Sequence, residues 1–244
     1  MIKVFVGTMF TIENEIQDCI DSILRQKNVE IDHAIISNLP EKEAHNRLWD
    51  HWHSRMNDFD LFVKVDADTV VRNEHAFEVA YNLIKEKNAT GIQAPLFDHL
   101  SSNLINGLNF FSTKVSFNVS TSDLYCDRVD IGNTHILREY LPEELRPAGD
   151  HCPNPSNIQA FHYGLHRQLK NQTRVISDVY KSFAAKFTEP RLWAIVGSMY
   201  ASRYKEHFGF NYSDKKFIDL FAEANSEIES LKEKLNEDFA TCRF

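Results

Sequence analysis

Residues 61–68, which read LFVKVDAD, decide the fold of this chain. The stretch opens as a short run rich in β-forming residues and bounded by polar ones, which is typical of a buried strand. The run leads directly into Asp66 and Asp68, which are separated by one small residue. Two carboxylates at the end of a strand can share a hard cation such as Mg²⁺ or Mn²⁺. The alternative is that the two aspartates only end the strand and begin a turn.

Strand and helix patterns alternate around this stretch. The predicted elements, in chain order, are a strand at about 2–7, a helix at about 13–26, a strand at 31–37, a helix at about 41–56, the strand of 61–66, a helix after Asn73 and a strand at 90–96. This order predicts the α/β class, with a mostly parallel central sheet and helices on both of its faces. Because ligands of such sheets bind at the carboxyl ends of the strands, Asp66 and Asp68 would lie where a ligand binds.

The later part of the chain is irregular at first and then helical. Strands are predicted at 110–119 and 128–137, and helical patterns begin at about 157. We therefore predict a catalytic domain at 1–170 and a helical C-terminal extension, packed on that domain, at 171–244.

The last predicted helix, at about 214–239, carries apolar residues at steps of four and three. The apolar positions are Phe217, Phe221, Ala224, Ile228, Leu231 and Leu235. Such a stripe packs a helix against its own domain, or it supports an oligomer through the same face.

The charge of the chain limits its partners. The formal net charge of −8, from 27 basic and 35 acidic residues, argues against a general nucleic-acid binder. The segment 162–205 is basic instead, which indicates either an anionic ligand or a solvated helix face. Within it, the apolar run 192–199 is too short to span a bilayer. We interpret this run as a buried helix, with contact to a membrane surface that carries a lipid-linked acceptor as the alternative.

The cysteines and glycines argue against several classes of protein. The four cysteines lie far apart and form no Cys-x-x-Cys pair, so we expect reduced thiols in a cytoplasmic protein and no zinc site. The chain starts directly with a strand pattern, and no signal peptide is expected. Residues 7–10 read GTMF, which matches neither the dinucleotide-binding fingerprint nor the P-loop. The phosphates of a bound nucleotide would therefore be held by a metal and by side chains.

Six short segments of the sequence form a pattern. They are VFVGT at 4–8, ENE at 13–15, CIDSILRQ at 19–26, AHNR at 44–47, VDAD at 65–68 and HYG at 162–164. The pattern resembles the GT-A fold glycosyltransferases, particularly the large family-2-like group, over roughly residues 1–100 and again at 162–164. Two features depart from that family. SNLP at 37–40 replaces the acidic residue that reads the nucleotide base, and a clear Glu-Asp catalytic-base element is missing.

The resemblance implies transfer of a sugar from a nucleotide-sugar donor with Mn²⁺ or Mg²⁺ as the cofactor. The candidate metal ligands are Asp66, Asp68, His162 and His166. The candidate donor-binding residues are Thr8, Asn46, Lys64 and Asp66. Asp68 would bind the metal directly, whereas Asp66 would contact the ribose or ligate through water. Lys64 either reaches a phosphate or points to solvent.

The histidines allow more than one interpretation. If the segment around His162 and His166 is helical, both side chains lie on one face and can share a cation. Gly164 favours a loop instead, which would supply only His162. We expect His45, with its neighbours at 51 and 53, on the solvent face of the second predicted helix.

An inverting transfer also needs a carboxylate that deprotonates the acceptor hydroxyl. Asp150 is the first candidate for this base and Asp130 is the second. A retaining enzyme needs no such base.

Together these features predict a metal-dependent glycosyltransferase that acts on a glycan, a lipid-linked acceptor or another hydroxyl acceptor. One alternative is a glycosyltransferase that acts on modified bases in nucleic acid, which the basic segment 162–205 permits and the overall charge disfavours. The other is a non-catalytic GT-A-like binding module, which the replaced base-reading residue at 37–40 suggests.

Overall fold

A computed structural model gives the structure of this chain. It describes residues 1–126, 135–201 and 211–241, without the side chains of 236 and 238–241. These residues form two compact units.

The first unit contains the sheet. Its described strands are β1 (Ile2–Phe10), β2 (Val29–Ser37), β3 (Leu61–Lys64), β4 (Thr69–Val71), β5 (Gly91–Asp98), β6 (Asn103–Ser112), β7 (Ile136–Leu137) and β8 (Gly149–His151). Its described α-helices are α1 (Ile16–Leu24), α2 (Glu41–Arg55) and α3 (Ala76–Glu86), with 3-10 helices at Met56–Asp58 and Glu143–Leu145. The predicted alternation of strands and helices up to β5 is confirmed, apart from the additional strand β4.

The second unit is helical. Its described helices are α4 (Asn157–Leu169), α5 (Thr173–Ala185), α6 (Glu189–Ala201) and α7 (Lys215–Thr241). The first unit ends at Asn154 and the second resumes at Pro155, after a short contribution from Leu100–Ser102. Within the second unit, α4 packs closely against α6. The catalytic domain at 1–170 and the extension at 171–244 stay a prediction.

The described strands form one sheet in the order β2-β1-β3-β6-β5-β8-β4, with β7 beside β5. β1 runs parallel to β2 and β3, and β5 runs parallel to β8. β6 is antiparallel to both of its neighbours, so β3 and β5 run in the same direction. The carboxyl ends of β1, β3, β5 and β8 therefore lie at one edge of the sheet. The predicted α/β class with a central sheet and flanking helices is confirmed, although β6 makes the sheet mixed.

The irregular middle of the chain differs from the prediction. The strand predicted at 110–119 begins earlier, because β6 forms a hairpin with β5 and a turn at 113–114 ends it. The strand predicted at 128–137 lies mostly outside the described residues, and only its end is seen as β7.

Each face of the sheet has its own apolar core, because side chains alternate along a strand. Val4 and Val6 face a core shared with α1 and α3, whereas Phe5 faces a second core with α2. The large aromatic members of the second core are Phe5, Trp49, Trp52, Phe62, Phe111 and Phe117. The rings of Trp49 and Phe117 stack with their centroids 4.1 Å apart. The prediction of helices on both faces is thus confirmed.

The turn after β3 carries the two aspartates. β3 ends at Lys64, two residues before the predicted end, although the Val65 N–H still donates to the Gly7 carbonyl at 3.0 Å. The Thr69 N–H donates to the Asp66 carbonyl at 2.9 Å and closes the turn. β4 follows at once and pairs antiparallel with β8. The aspartates therefore lie in a turn, at the edge of the sheet where ligands bind.

In the second unit, α4 and α6 cross at two glycines. A Cβ atom added to Gly164 would lie 1.7 Å from the Ala194 carbonyl oxygen, and one added to Gly197 would lie 2.0 Å from the Phe161 carbonyl oxygen. The segment HYG lies within α4 and is helical, so the loop interpretation is wrong. Gly164 is needed because the two helix backbones touch there.

The apolar run 192–199 lies in α6, and its interpretation as a buried helix is confirmed. Leu192 and Val196 are fully buried, and Ile195 is 1% exposed. Within 1–126, 135–201 and 211–241, no helix is both long and apolar enough to cross a membrane.

The C-terminal stripe packs within the second unit. Phe217, Ala224 and Leu235 are buried, and the other three predicted positions are half-buried. The Phe217 ring lies 5.9 Å from the Phe161 ring of α4, and the Phe221 ring lies 4.9 Å from the Trp193 ring of α6. The predicted packing of the helix is confirmed.

Leu231→Ala should lower the free energy of unfolding by about 1–2 kcal/mol, because the half-buried side chain loses part of its apolar burial. Ile218→Ala is the matched control on the same helix, since Ile218 is 47% exposed and should be nearly neutral. Urea unfolding of both variants measures the difference. Equal effects would show that the stripe ends before Leu231.

Candidate functional site

Polar side chains gather at the carboxyl edge of the sheet. Asp66 and Asp68 follow β3, Asp98 ends β5 and His151 ends β8. Asp98 pairs with His151 across β5 and β8, and Thr69 pairs with His151 from the other side. This register brings side chains from three separate parts of the sequence to one place.

Asp68 is the centre of this group. Its Oδ2 lies 3.4 Å from His151 Nε2 and 3.4 Å from Cys152 Sγ. The donor atoms of these three residues all lie within 4.8 Å of one another. The other carboxylate oxygen of Asp68, Oδ1, is buried and has no hydrogen-bond partner among the described residues. A buried carboxylate oxygen without a partner is costly, and a bound cation would remove that cost.

Asp98 orients the imidazole of His151. The Asp98 side chain is fully buried, and its Oδ1 lies 2.8 Å from His151 Nδ1. A hydrogen bond in which Nδ1–H donates to this carboxylate leaves Nε2 directed toward Asp68. A carboxylate that holds the far nitrogen of a histidine is a frequent outer partner of a metal-ligating imidazole.

The donor set fits a divalent cation that accepts oxygen and nitrogen ligands. Asp68 supplies a carboxylate and His151 an imidazole. This mixed set suits Mn²⁺ better than Mg²⁺, because Mg²⁺ prefers ligands that are all oxygen atoms. Burial, together with the charge of Asp68, raises the pKa of the Cys152 thiol well above its usual 9. The thiol therefore keeps its proton and donates it toward Asp68, so Cys152 is a poor third ligand.

Asp66 is held by Lys64. The two side chains form an ion pair, and the Lys64 side chain is only 6% exposed. Burial by itself raises the pKa of Asp66, but the charge and hydrogen bond of Lys64, with smaller help from His45 and His151, lower it below the usual value. The interpretation of Lys64 as a solvent-facing lysine is wrong.

Asp150, the first candidate for the base, points away from His151 because successive residues of a strand face opposite sides. Arg72 contacts both of its carboxylate oxygens, and His99 Nε2 lies 2.8 Å from Oδ1. Burial raises the pKa of Asp150, but these partners lower it below its usual value overall. The second candidate, Asp130, lies outside the described residues.

Two candidate donor-binding residues have partners in the protein. Thr8 Oγ1 lies 2.9 Å from His33 Nε2. The Asn46 amide donates to the Ser120 carbonyl at 3.1 Å and accepts from the Ser120 N–H at 2.7 Å. Both residues are thus held in place, and their contact with a donor stays a prediction.

His162 and His166 lie one turn apart on α4, in the second unit. Their ring centroids are 4.2 Å apart, and the His162 ring lies 4.6 Å from that of Tyr212. Burial, together with the charges of His162, Lys170 and Arg167, lowers the pKa of His166 well below its usual range. Both imidazoles lie on one helix face, as the helical interpretation predicted, and their binding of a metal stays a prediction.

The sequence interpretation missed His151 and Asp98. Asp98 ends β5, a strand that the sequence pattern predicts, whereas His151 ends β8, which has only three residues and is too short for a pattern. The two residues become neighbours only when β5 pairs with β8, because residues 98 and 151 are far apart in the chain.

Glu13 lies near this group and has an unusual pKa. Its Oε2 accepts from the Thr11 N–H at 2.7 Å and from the Ile12 N–H at 3.0 Å. Burial raises the pKa of Glu13 from 4.5 to about 7, and the charge of Asp68 adds to the rise against these hydrogen bonds. In the folded chain this carboxyl group therefore titrates near neutral pH.

Glu13→Gln should stabilise the metal-free protein at pH 8 but not at pH 5. The folded state keeps the proton of Glu13 to about pH 7, whereas the unfolded chain releases it near 4.5. Folding stability is therefore lost as pH rises through this window, by about 1–3 kcal/mol. The glutamine has no proton to lose, so the variant is more stable than the wild type only above this pH range.

Melting temperatures in a chelating buffer at the two pH values measure this effect. Glu86→Gln is the matched control, because the Glu86 side chain is 67% exposed. The same pH response in both variants would contradict the assignment to Glu13.

No family model matches the sequence, and no curated protein matches it. Among solved structures, the mannosyltransferase PcManGT from Pyrobaculum calidifontis, in complex with GDP-Man and Mn²⁺, is 9% identical with a TM-score of 0.44. That match covers 96% of this chain and 83% of the other. S. aureus TarS 1–349 is 10% identical with a TM-score of 0.38, covering 97% of this chain and 83% of that one.

S. aureus TarS 1–349 in complex with UDP is 9% identical with a TM-score of 0.36, covering 98% of this chain and 89% of that one. Because every one of these TM-scores is below 0.5, neither the nucleotides nor the metal of these proteins is carried over to this chain.

Proposed function

We propose that this chain is a metal-dependent glycosyltransferase that moves a sugar from a nucleotide-sugar donor to a hydroxyl acceptor, either a glycan, a lipid-linked acceptor or another alcohol. One observation carries the proposal. The buried Oδ1 of Asp68 has no hydrogen-bond partner among the described residues, beside an imidazole that Asp98 holds in place. This arrangement lies at the sheet edge where α/β proteins bind ligands.

Asp68 and His151 are the residues that would hold the metal, and Asp66 would contact the donor or ligate through water. The metal would supply Lewis-acid stabilisation of the diphosphate that leaves during transfer. Asp98 keeps the His151 tautomer that presents Nε2. Cys152 donates its thiol proton to Asp68 and so helps to fix the carboxylate.

Lys64, Thr8 and Asn46 are proposed to position the donor. Lys64 is the strongest of these candidates, because its ammonium is buried beside Asp66. A buried ammonium next to a metal-binding carboxylate can turn toward a phosphate when one is present.

His162 and His166 remain proposed ligands from the second unit. His166 is a neutral imidazole, which is the form that ligates, since burial lowers its pKa well below the usual range. His151 competes with His162 for the role of nitrogen ligand, because its Nε2 already faces Asp68.

The catalytic base stays open between Asp150 and Asp130. The ion pair with Arg72 makes Asp150 a weak base, and an acceptor that displaced Arg72 would restore its basicity. If transfer retains the anomeric configuration, neither residue is needed.

We keep a cytoplasmic location as part of the proposal. Cys19, Cys126 and Cys152, the cysteines that the structure describes, are reduced thiols, which suits a reducing compartment.

A panel of nucleotide-sugars, each tested with and without Mn²⁺, provides the test. We expect one donor to raise the melting temperature only when Mn²⁺ is present, and the same donor to be slowly hydrolysed. Stabilisation without any hydrolysis or transfer would favour the non-catalytic binding module. A complete lack of stabilisation across UDP-, GDP- and other nucleotide-sugars would refute the proposal.

A further inference from the structure

A second group of metal-ligating side chains lies in the first unit and shares no residue with the site proposed above. Glu41 and His45 come from the first turns of α2, and Cys126 comes from the segment that follows β6. One carboxylate oxygen, one imidazole nitrogen and the sulfur atom all lie within 4.8 Å of one another. His45 is 1% exposed and Cys126 is fully buried. The expectation that His45 lies on the solvent face of its helix is therefore wrong.

The helix presents the first two residues as a pair. Glu41 and His45 are four residues apart, so their side chains lie on one face of α2. His45 Nδ1 lies 2.8 Å from the Glu41 carbonyl oxygen. A carbonyl oxygen only accepts, so Nδ1 carries the proton and Nε2 carries the lone pair that a metal would take. A hydrogen bond from the other ring nitrogen is what usually orients a metal-binding imidazole.

The segment that carries Cys126 is docked on α2 along its length. Trp49 stacks on Phe117, and the Phe117 N–H donates to His53 Nε2 at 2.9 Å. Ser120 exchanges two hydrogen bonds with Asn46, and Asp123 pairs with Lys42. These contacts place Cys126 beside the first turn of the helix without any metal.

We propose that Glu41, His45 and Cys126 form a second metal site, which takes Zn²⁺ and clamps the segment 113–126 to α2. A ligand set of one thiolate, one imidazole and one carboxylate suits Zn²⁺, whereas Mn²⁺ and Mg²⁺ prefer oxygen-rich sets. Spacings under 4.8 Å allow small side-chain movements to bring all three atoms onto one tetrahedral ion. On binding, Cys126 releases its proton to solvent and its sulfur lone pair forms the bond to the metal.

This proposal does not rest on the proposed glycosyltransferase activity. It differs from the expectation, drawn from the absence of a Cys-x-x-Cys pair, that the cysteines form no zinc site. A local cysteine pair is not required here, because a helix supplies two ligands and a distant segment supplies the third.

Cobalt substitution of the full chain tests the site. The protein is stripped with a chelator and titrated with Co²⁺ alone, and the sulfur-to-cobalt charge-transfer absorption is followed. We expect a band that saturates, is displaced by Zn²⁺ and is absent in Cys126→Ser. His45→Gln should weaken Co²⁺ binding by at least about tenfold. Circular dichroism checks that the variants fold.

Two matched variants separate this site from the one at Asp68. Cys152→Ser and Asp68→Ala should both keep the band, because neither residue belongs to the group at α2. The proposal is overturned if the stripped wild-type protein gives no thiolate band, or if the band survives in Cys126→Ser. Loss of the band in Cys152→Ser but not in Cys126→Ser would assign the thiolate to the Asp68 group instead.

If Cys126→Ser fails to fold, Glu41→Gln provides the second measurement. It keeps the size of the side chain and removes one anionic ligand, so Co²⁺ affinity should fall while the thiolate band remains at saturation. An unchanged affinity would count against the site.

Discussion

Asp68→Ala should abolish Mn²⁺-dependent nucleotide binding and donor hydrolysis, with a loss of at least about a hundredfold in each. The physical reason is that Asp68 is the carboxylate beside His151 and Cys152 at the carboxyl edge of the sheet, and its Oδ2 lies 3.4 Å from the Nε2 atom of His151. The fold should survive, because one of its oxygens has no hydrogen-bond partner among the described residues. Titration calorimetry with UDP or GDP and Mn²⁺ measures the binding.

Asp60→Ala is the matched control for this experiment. Asp60 precedes β3, whereas Asp68 follows it, and Asp60 accepts a hydrogen bond from the Lys3 N–H at 2.9 Å. The Asp60→Ala variant therefore lacks an aspartate at the opposite end of the same strand, and its nucleotide binding should be unchanged. Undiminished binding by Asp68→Ala would remove the residue from the proposed site.

His151→Ala and His162→Ala distinguish the two candidate nitrogen ligands. His151→Ala should raise the Mn²⁺ concentration needed for activity, because its imidazole faces Asp68. A larger increase for His162→Ala would instead support the ligand that the sequence motif suggested. Because Asp98 holds His151, Asp98→Asn should change the Mn²⁺ requirement in the same direction as His151→Ala and more weakly.

The sequence predicted the first half of the fold well, for a physical reason. Up to β5 the strands are buried runs and the helices have clear apolar faces, so each element is specified locally. β4 was missed because three residues are too few for a pattern. The position of β6 was predicted wrongly because it depends on the pairing with β5 in a hairpin, and local sequence patterns do not specify that pairing.

The candidate site was only partly predictable for the same reason. Asp66 and Asp68 stand out locally, since two carboxylates directly follow a buried strand. Asp98 and His151 become neighbours only through pairing of β5 with β8, which no local pattern specifies. His45 was assigned to solvent because the docking of the segment 113–126 on α2 is equally invisible in the sequence.

Gly164→Ala should lower the free energy of unfolding by about 3 kcal/mol, the upper end of the usual cost of overpacking. In an isolated helix the same change would stabilise by up to about 1 kcal/mol, since alanine is the better helix former. Here the added Cβ would lie 1.7 Å from the Ala194 carbonyl oxygen. This oxygen belongs to the backbone of a packed helix, so it cannot move away by a side-chain rotation. Urea unfolding measures the change.

Gly107→Ala is the control that isolates the role of the backbone. Its added Cβ would lie 2.4 Å from Leu96 Cδ1, the end of a flexible side chain that can rotate away, so its cost should be smaller. The double variant Gly164→Ala and Gly197→Ala should lose less free energy of unfolding than the two single variants lose in sum, because the first substitution already separates α4 from α6. A neutral or stabilising Gly164→Ala would mean that the helices do not cross in backbone contact, and that the glycine of the HYG segment is there for another reason.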